Sequence, residues 1–198
     1  MRGTKIFYFT AGTVFVADQL TKALAVAFLS PSGGRNLSAV LSYFTHFHEF
    51  PYAHSVEAQA PKILGDYLKL TLTTNSGIAW GLFRGHPIEL GILSVILTII
   101  VWFIFSRYGR GSLILSLSLG LIFGGAIGNL VDRFRLLEVV DFIDVLIPIL
   151  NYDFPVFNLA DSSASIGTII IAGYLIRLDL INGRRAKILR HYDQTVYK

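Results

Sequence analysis

The stretch FNLADSSASIGTIIIAGYLI, residues 157–176, decides the fold. Its second half is apolar enough to cross a bilayer, and a carboxylic acid, Asp161, stands at its beginning. Burying an ionisable side chain in a membrane helix costs on the order of 2.5–3.5 kcal/mol, so such a residue favours a functional role. A second acid, Asp141, lies about twenty residues earlier in EVVDFIDV. We predict that the two acids face each other and share a water and a proton.

The composition is that of an integral membrane protein. Apolar residues make up 53% of the 198 residues and charged residues only 15%, whereas soluble domains carry roughly a quarter charged residues. The net charge of +4 forms no basic stripe alternating with stacking aromatics, which argues against a nucleic-acid partner. Cysteine is absent, which excludes disulfides, thiolate nucleophiles and cysteine metal sites. No cofactor is expected.

The hydropathy pattern predicts an all-α membrane protein with four transmembrane helices, forming a single domain over residues 1–198. Each apolar run can cross about 30 Å of hydrocarbon at ~1.5 Å per residue. Residues 30–86 are less apolar and predict a small outer-side loop subdomain, in which YLKLTLTT (67–74) alternates like a strand. The predicted spans are 6–29, 87–106, 112–131 and 157–178.

The basic residues predict the orientation. They flank the spans at three places that share one side: Arg2, Lys5, Arg107, Arg110, Arg184, Arg185, Lys187 and Arg190. The positive-inside rule then puts both termini in the cytoplasm and the acids of the spans in the outer half of the membrane. The first span alternatively resembles a cleavable signal peptide ending at Ala25-Val26-Ala27, but Asp18 and Lys22 interrupt its apolar core.

Polar and small residues within the spans suggest how the helices meet. Asp18 and Lys22 are spaced i, i+4 on one helix face, which predicts a mutual ion pair or a site for a polar group. Gly124 and Gly128 form a GxxxG step that lets another helix approach closely.

The end of the third span and the start of the fourth share a polar pattern. Asn129 and Asp132 are spaced i, i+3, and Arg133 follows, ready to pair with a carboxylate or a lipid phosphate. Asn158 and Asp161 are also spaced i, i+3. Taken alone, Asp161 fits equally a charge that stabilises a helix N-terminus.

Two carboxyl groups within hydrogen-bond reach have a specific chemistry. They cannot both ionise cheaply, so the pKa of one rises and that of the other falls. The carboxylate can then take a proton from water while the acid polarises a scissile carbonyl, which is the chemistry of aspartic peptidases. For Asp141 itself, VVDFIDV suits a short interfacial helix or an extended turn.

Five sequence blocks, in this order, resemble the lipoprotein signal peptidase family, the type II signal peptidases of bacteria. The resemblance covers most of residues 5–180 and implies an aspartic endopeptidase of the bacterial inner membrane. It implies cleavage of diacylglyceryl prolipoproteins just before the lipidated cysteine, and inhibition by cyclic peptides such as globomycin. The blocks are ADQLTK (17–22), NSGIAWGL (75–82), GGAIGNLVDR (124–133), VVDFIDV (139–145) and FNLADSSASIG (157–167).

The same resemblance assigns roles to residues. It maps a catalytic dyad onto Asp141 and Asp161 and implies no metal. The positions that it implies for binding substrate or supporting the dyad are Asp18, Lys22, Asn75, Gly77, Asn129, Asp132, Arg133 and Asn158.

The chain departs from the family in two places. The segment between ADQLTK and NSGIAWGL is longer than usual and holds His46, His48 and His54, which fit a solvated loop better than a metal site. Trp80 stands where the family more often has Phe.

Three other functions remain open from the residues alone. A Ser/Lys peptidase could combine Lys22 with Ser76, Ser162 or Ser163, because a serine nucleophile needs a base within reach. A proton-coupled carrier could use the acids as a relay, although carriers usually place such groups at mid-membrane and show repeats. A structural membrane scaffold would need none of this chemistry.

Overall fold

The computed structural model describes residues 2–30, 34–45, 61–77 and 86–196, with side chains as far as residue 184. These residues form five α-helices and a four-stranded sheet. A short π-helical turn, Phe105–Gly109, extends the third helix. The helices are α1 (Arg2–Leu29), α2 (Leu37–Thr45), α3 (Pro87–Ile104), α4 (Leu113–Leu136) and α5 (Leu159–Val196), and the strands are β1 (Lys62–Leu64), β2 (Leu68–Asn75), β3 (Val139–Ile147) and β4 (Tyr152–Phe157).

Four helices are long and apolar enough to cross a membrane, which confirms the number and order of the predicted spans. Their ends differ from the prediction. The third continues to Leu136, where Leu137 adopts a left-handed conformation and donates its N–H to the Arg133 carbonyl. The fourth begins at Leu159 because Phe157 still belongs to β4, and it runs well beyond residue 178. The spanning segments are Arg2–Leu29, Pro87–Gly109, Leu113–Leu136 and Leu159–Arg184.

Glycines let α4 lie close to two other helices. A Cβ on Gly124 would overlap the Ala11 carbonyl of α1, and one on Gly128 would overlap the Asp18 carboxylate. On another face, a Cβ on Gly125 would overlap the Ala160 carbonyl of α5. The close approach predicted from GxxxG is therefore confirmed, and it brings α1 and α5 to α4 at backbone distance.

The sheet has the order β1-β2-β3-β4, with each neighbouring pair antiparallel. Strand β2 confirms the strand predicted from YLKLTLTT. Strands β3 and β4 supply the other half of the sheet and lie outside residues 30–86, where the sequence predicted β-structure. VVDFIDV forms β3, since its β-branched residues suit a strand and its backbone pairs with β2.

An apolar cluster fixes the sheet on the helices. Val140 and Phe142 of β3 pack into this cluster, which also includes Ala23, Val26, Tyr43, Leu72 and Leu136. Successive side chains of a strand point to opposite faces, so Asp141, between Val140 and Phe142, points away from the cluster. This end of the helix bundle, where α1 and α4 finish and α5 begins, holds the candidate site.

Candidate active site

A buried ammonium group lies at the centre of the site. Lys22 Nζ contacts Asp18 Oδ2 at 2.8 Å and Asp132 Oδ2 at 2.8 Å, and all three side chains are fully buried. Its third hydrogen bond goes to Asn129 Oδ1 at 2.9 Å. The Asp18–Lys22 pair predicted from i, i+4 spacing is confirmed, and all three donors of the ammonium group have acceptors.

The two carboxylates beside Lys22 join four elements of the fold. Asp18 Oδ1 accepts the backbone N–H of Ala160 in α5 at 2.9 Å. Asp132 Oδ2 accepts the backbone N–H of Val140 in β3 at 3.2 Å. Gln19 Nε2 lies 3.2 Å from Asp18 Oδ2 and 3.0 Å from Asp132 Oδ1. The ion cluster therefore ties α1 and α4 to the segments that carry Asp141 and Asp161.

The orientation of the Asn129 amide follows from this cluster. An ammonium group can only donate, so the amide atom that faces Lys22 must be the oxygen. The amide nitrogen then faces α5 and donates to Asp161 Oδ1 at 2.8 Å.

Asn158 contacts both acids. Its Nδ2 atom lies 2.7 Å from Asp141 Oδ1. Its Oδ1 atom accepts the backbone N–H of Asp161 at 3.0 Å, and Asp161 Oδ2 accepts the backbone N–H of Asn158 at 3.2 Å. This reciprocal pair is a capping box at the start of α5. Asp161 therefore stabilises the N-terminus of α5, which was the alternative interpretation of this acid from the sequence. It also lies beside Asp141.

Asp141 is poised to hold a proton. Its side chain is almost completely buried, and burial together with the negative charge of Asp161 raises the pKa of its carboxyl group to about 8. The charge of Lys22 and hydrogen bonds from Asn75 and Asn158 oppose this rise. Asp141 therefore keeps its proton near neutral pH.

Gly77 and Arg133 complete the network. The Gly77 N–H donates to Asn75 Oδ1 at 2.9 Å, and Arg133 Nη2 donates to the Gly77 carbonyl at 3.2 Å. The positive charge of Arg133 acts on Asp141 and Asp161. The structure therefore brings all ten predicted site residues into one network.

Some predicted features lie outside the described residues, and some contacts were not predicted. Trp80 and the three histidines of the long segment fall outside them. Gln19 was not singled out, although it lies within ADQLTK, and Tyr43, whose hydroxyl donates to Asp132 Oδ1 at 3.0 Å, had no sequence signal.

The contacts do not support a serine peptidase that uses Lys22. The lysine's three donors go to Asp18, Asp132 and Asn129. The hydroxyls of Ser162 and Ser163 donate to backbone carbonyls of their own helix turn. Neither serine is therefore paired with a basic side chain.

Comparisons with known proteins agree with this site. The family model described as signal peptidase (SPase) II matches residues 10–177. A lipoprotein signal peptidase of Bacillus subtilis is 32% identical over 182 residues, covering 92% of this chain and 98% of its own length. One of Bacillus velezensis is 32% identical over 166 residues, covering 84% of this chain and 90% of its own length.

Solved structures resemble the fold as well. A bacterial membrane enzyme determined by the in meso method has a TM-score of 0.64 at 29% identity, covering 86% of this chain and 87% of that one. A second structure described in the same way has a TM-score of 0.62 at 30% identity, covering 85% of this chain and 91% of that one.

Proposed function

We propose, from the premise that this chain belongs to the signal peptidase II family, that Asp141 and Asp161 form the catalytic dyad of a lipoprotein signal peptidase. The family makes the chain a membrane-embedded aspartic peptidase of bacteria that removes signal peptides from lipoproteins. The observation that carries the dyad is that Asn158 donates to both carboxyl groups, with its side-chain amide to Asp141 and with its backbone N–H to Asp161. A carrier or a scaffold would not need such an arrangement.

In the proposed mechanism the two acids have different roles at the start. Asp141 carries the proton, because burial and its neighbour raise its pKa. Asp161 acts as the base: it takes a proton from water, whose oxygen attacks the scissile carbonyl carbon while Asp141 donates its proton to the carbonyl oxygen. The tetrahedral intermediate then returns that proton to Asp141, and Asp161 protonates the leaving nitrogen as the C–N bond breaks.

Asn129 and Asn158 hold the two carboxyl groups in position for these proton transfers. Each places an amide nitrogen on one carboxyl oxygen, at 2.8 Å for Asp161 and 2.7 Å for Asp141. Fixed donors hold the carboxyl planes, because Asn158 contacts one oxygen of Asp141, and the Asn129 amide and the Asn158 backbone contact the two oxygens of Asp161. Arg133 adds a positive charge that limits repulsion when both acids face the substrate.

We further propose how substrate and membrane meet. The distribution of Lys and Arg supports cytoplasmic termini and a dyad near the outer face of the inner membrane, with residues 1–198 as one domain. The substrate is a prolipoprotein bearing diacylglycerol, whose lipid tails stay in the bilayer while its signal helix lies beside them. Cleavage just before the lipidated cysteine follows, and a cyclic peptide such as globomycin would compete for the same site.

A mass assay tests the proposed substrate. Purified protein is incubated with a diacylglyceryl prolipoprotein and, in parallel, with the same precursor lacking the lipid. We expect a mass loss equal to the signal peptide from the lipidated precursor only. Cleavage of both precursors at equal rates would contradict the requirement for lipid, and cleavage of neither would contradict the proposed function.

The pH dependence of cleavage tests the protonation of the dyad. Because the pKa of Asp141 is raised to about 8, the pair keeps its acid below that pH and loses it above. We expect kcat/KM to fall by about tenfold per pH unit on the alkaline side. Returning the enzyme to pH 7 should restore activity, which separates titration from unfolding. A rate that stays constant to pH 10 would show that no acid with this pKa is needed.

A further inference from the structure

Helix α2 places one aromatic side chain against the ion cluster. Tyr43 is only 3% exposed and packs with Leu72, Leu136 and Val140 in the apolar cluster under the sheet. The guanidinium of Arg135 lies over its ring, 4.7 Å from the ring centre, and donates to the Tyr43 carbonyl. The side chain is therefore held from several sides, which fixes the position of its hydroxyl group.

The hydroxyl of Tyr43 contacts a charged atom. It donates to Asp132 Oδ1 at 3.0 Å, the same oxygen that accepts from Gln19. Burial and the negative charge of Asp132 raise the pKa of Tyr43, so the hydroxyl keeps its proton and remains a donor. The charged groups that act on Tyr43 are Asp132 and Arg135 on α4 and Asp18 on α1.

A short chain of contacts links this hydroxyl to the dyad. Asp132 holds Lys22 through its other oxygen at 2.8 Å, and Lys22 donates to Asn129 at 2.9 Å. Asn129 in turn donates to Asp161 at 2.8 Å. A phenylalanine at position 43 would fill the apolar cluster as well as tyrosine does, so packing alone does not explain the hydroxyl.

We propose that Tyr43 is a positioning residue for catalysis, which acts by fixing Asp132 and, through Lys22 and Asn129, the carboxyl group of Asp161. The proposal rests on the proposed function of the Asp141/Asp161 pair and adds a residue from α2, a helix outside the sequence blocks that resemble the family. Tyr43 itself touches neither acid, so its effect falls on the rate of the chemical step and not on substrate binding.

The test is the substitution Tyr43→Phe, measured as kcat and KM on a lipidated prolipoprotein. Without the hydroxyl, Asp132 draws Lys22 away from Asn129, which weakens the donor on Asp161. We expect kcat to fall by about five- to tenfold, in the range found for residues that couple through a network, with KM unchanged. The alkaline limb of the pH profile should move to higher pH, because the anionic form of the pair is less stabilised.

Two control variants separate positioning from packing. Val40→Ala removes apolar contact from the same helix and keeps the hydroxyl, so it should lower the melting temperature and leave kcat unchanged. Tyr67→Phe removes a hydroxyl from a half-exposed tyrosine in the turn between β1 and β2, and should change neither the melting temperature nor kcat. Tyr43→Ala is avoided because loss of the ring would disturb the fold.

The outcomes are distinguishable. A kcat within twofold of the parent and an unmoved pH profile for folded Tyr43→Phe would overturn the proposal and leave Tyr43 as a packing residue. That result does not contradict the proposed catalytic dyad, provided that Asp141→Asn is inactive in the same assay. If folded Asp141→Asn retains activity, the proposed catalytic dyad is contradicted, and the role of Tyr43 falls with it.

Discussion

Replacing Asp141 by asparagine is expected to lower the rate of signal-peptide cleavage by about 10³-fold or more, since the variant can no longer donate or accept the catalytic proton. The measurement is the initial rate of cleavage of a lipidated precursor at pH 7. The change keeps the size and the hydrogen-bonding oxygen of the side chain, so the contact with Asn158 at 2.7 Å can persist.

The same substitution should not destabilise the protein. The pKa of Asp141 is about 8 in the folded state, against about 4 for an unfolded aspartate. Between these values the folded state binds more protons than the unfolded state, so the contribution of Asp141 to stability decreases as pH rises through this window. Asparagine removes that dependence, and we expect Asp141→Asn to melt no lower than the parent at pH 8.

Asp144→Asn is the matched control for Asp141→Asn. Asp144 lies in the same strand and pairs with Lys69 at 3.3 Å and Thr71 at 2.9 Å, apart from the dyad network. This variant should keep cleavage within about twofold, because its contacts with Lys69 and Thr71 do not reach the dyad. Equal losses in both variants would indicate damage to the sheet, and full activity in a folded Asp141→Asn variant would remove the aspartic mechanism.

Replacing Lys22 by methionine is expected to cost about 3 to 5 kcal/mol of stability, because breaking a buried ion pair leaves uncompensated charge. Here two carboxylates, Asp18 and Asp132, would remain fully buried without their cation. Thermal melting in detergent micelles measures the effect. Cleavage should also be lost, since Asn129 would have no cation to fix its amide.

A variant that also removes the two buried negative charges tests whether they cause the loss of stability. Adding Asp18→Asn and Asp132→Asn to Lys22→Met removes the uncompensated charge and should recover much of the melting temperature. Lys62→Met is the matched control, because the side chains of its ion pair with Asp66 are 60% and 71% exposed and exposed pairs contribute little to stability. Equal melting temperatures for Lys22→Met and the parent would show that the cluster adds nothing to stability.

The features of the fold that depend on a local sequence pattern could be predicted. The four spans follow from long apolar runs, and the ion pair of Asp18 with Lys22 follows from helical spacing of residues that lipid disfavours. The pairing of Asp141 with Asp161 was predicted from two acids at one membrane face, whereas the supporting positions, such as Asn75 and Gly77, were implied by the resemblance to the family. GxxxG likewise predicted where helices touch, since a missing Cβ is visible in the sequence.

The sheet and the contacts of Tyr43 and Gln19 depend on residues that are distant in the sequence. The sequence analysis therefore did not predict them. Strand β3 takes its conformation from pairing with β2, with Thr73 opposite Asp141, and VVDFIDV alone does not specify that pairing. Tyr43 lies in a helix of only nine residues with ordinary composition, so its contact with Asp132 has no local signature. Gln19 resembles any polar helix residue until both of its carboxylate partners are known.

The capping box of Asn158 and Asp161 also bears on drug resistance. An inhibitor that hydrogen-bonds these two residues binds atoms that the enzyme needs twice, once to begin α5 and once to hold Asp141. A substitution that evades such a compound would unravel the first turn of the helix and disable the peptidase together. Under the proposed function, evasion by substitution at either residue would therefore also cost the capping hydrogen bonds that begin α5.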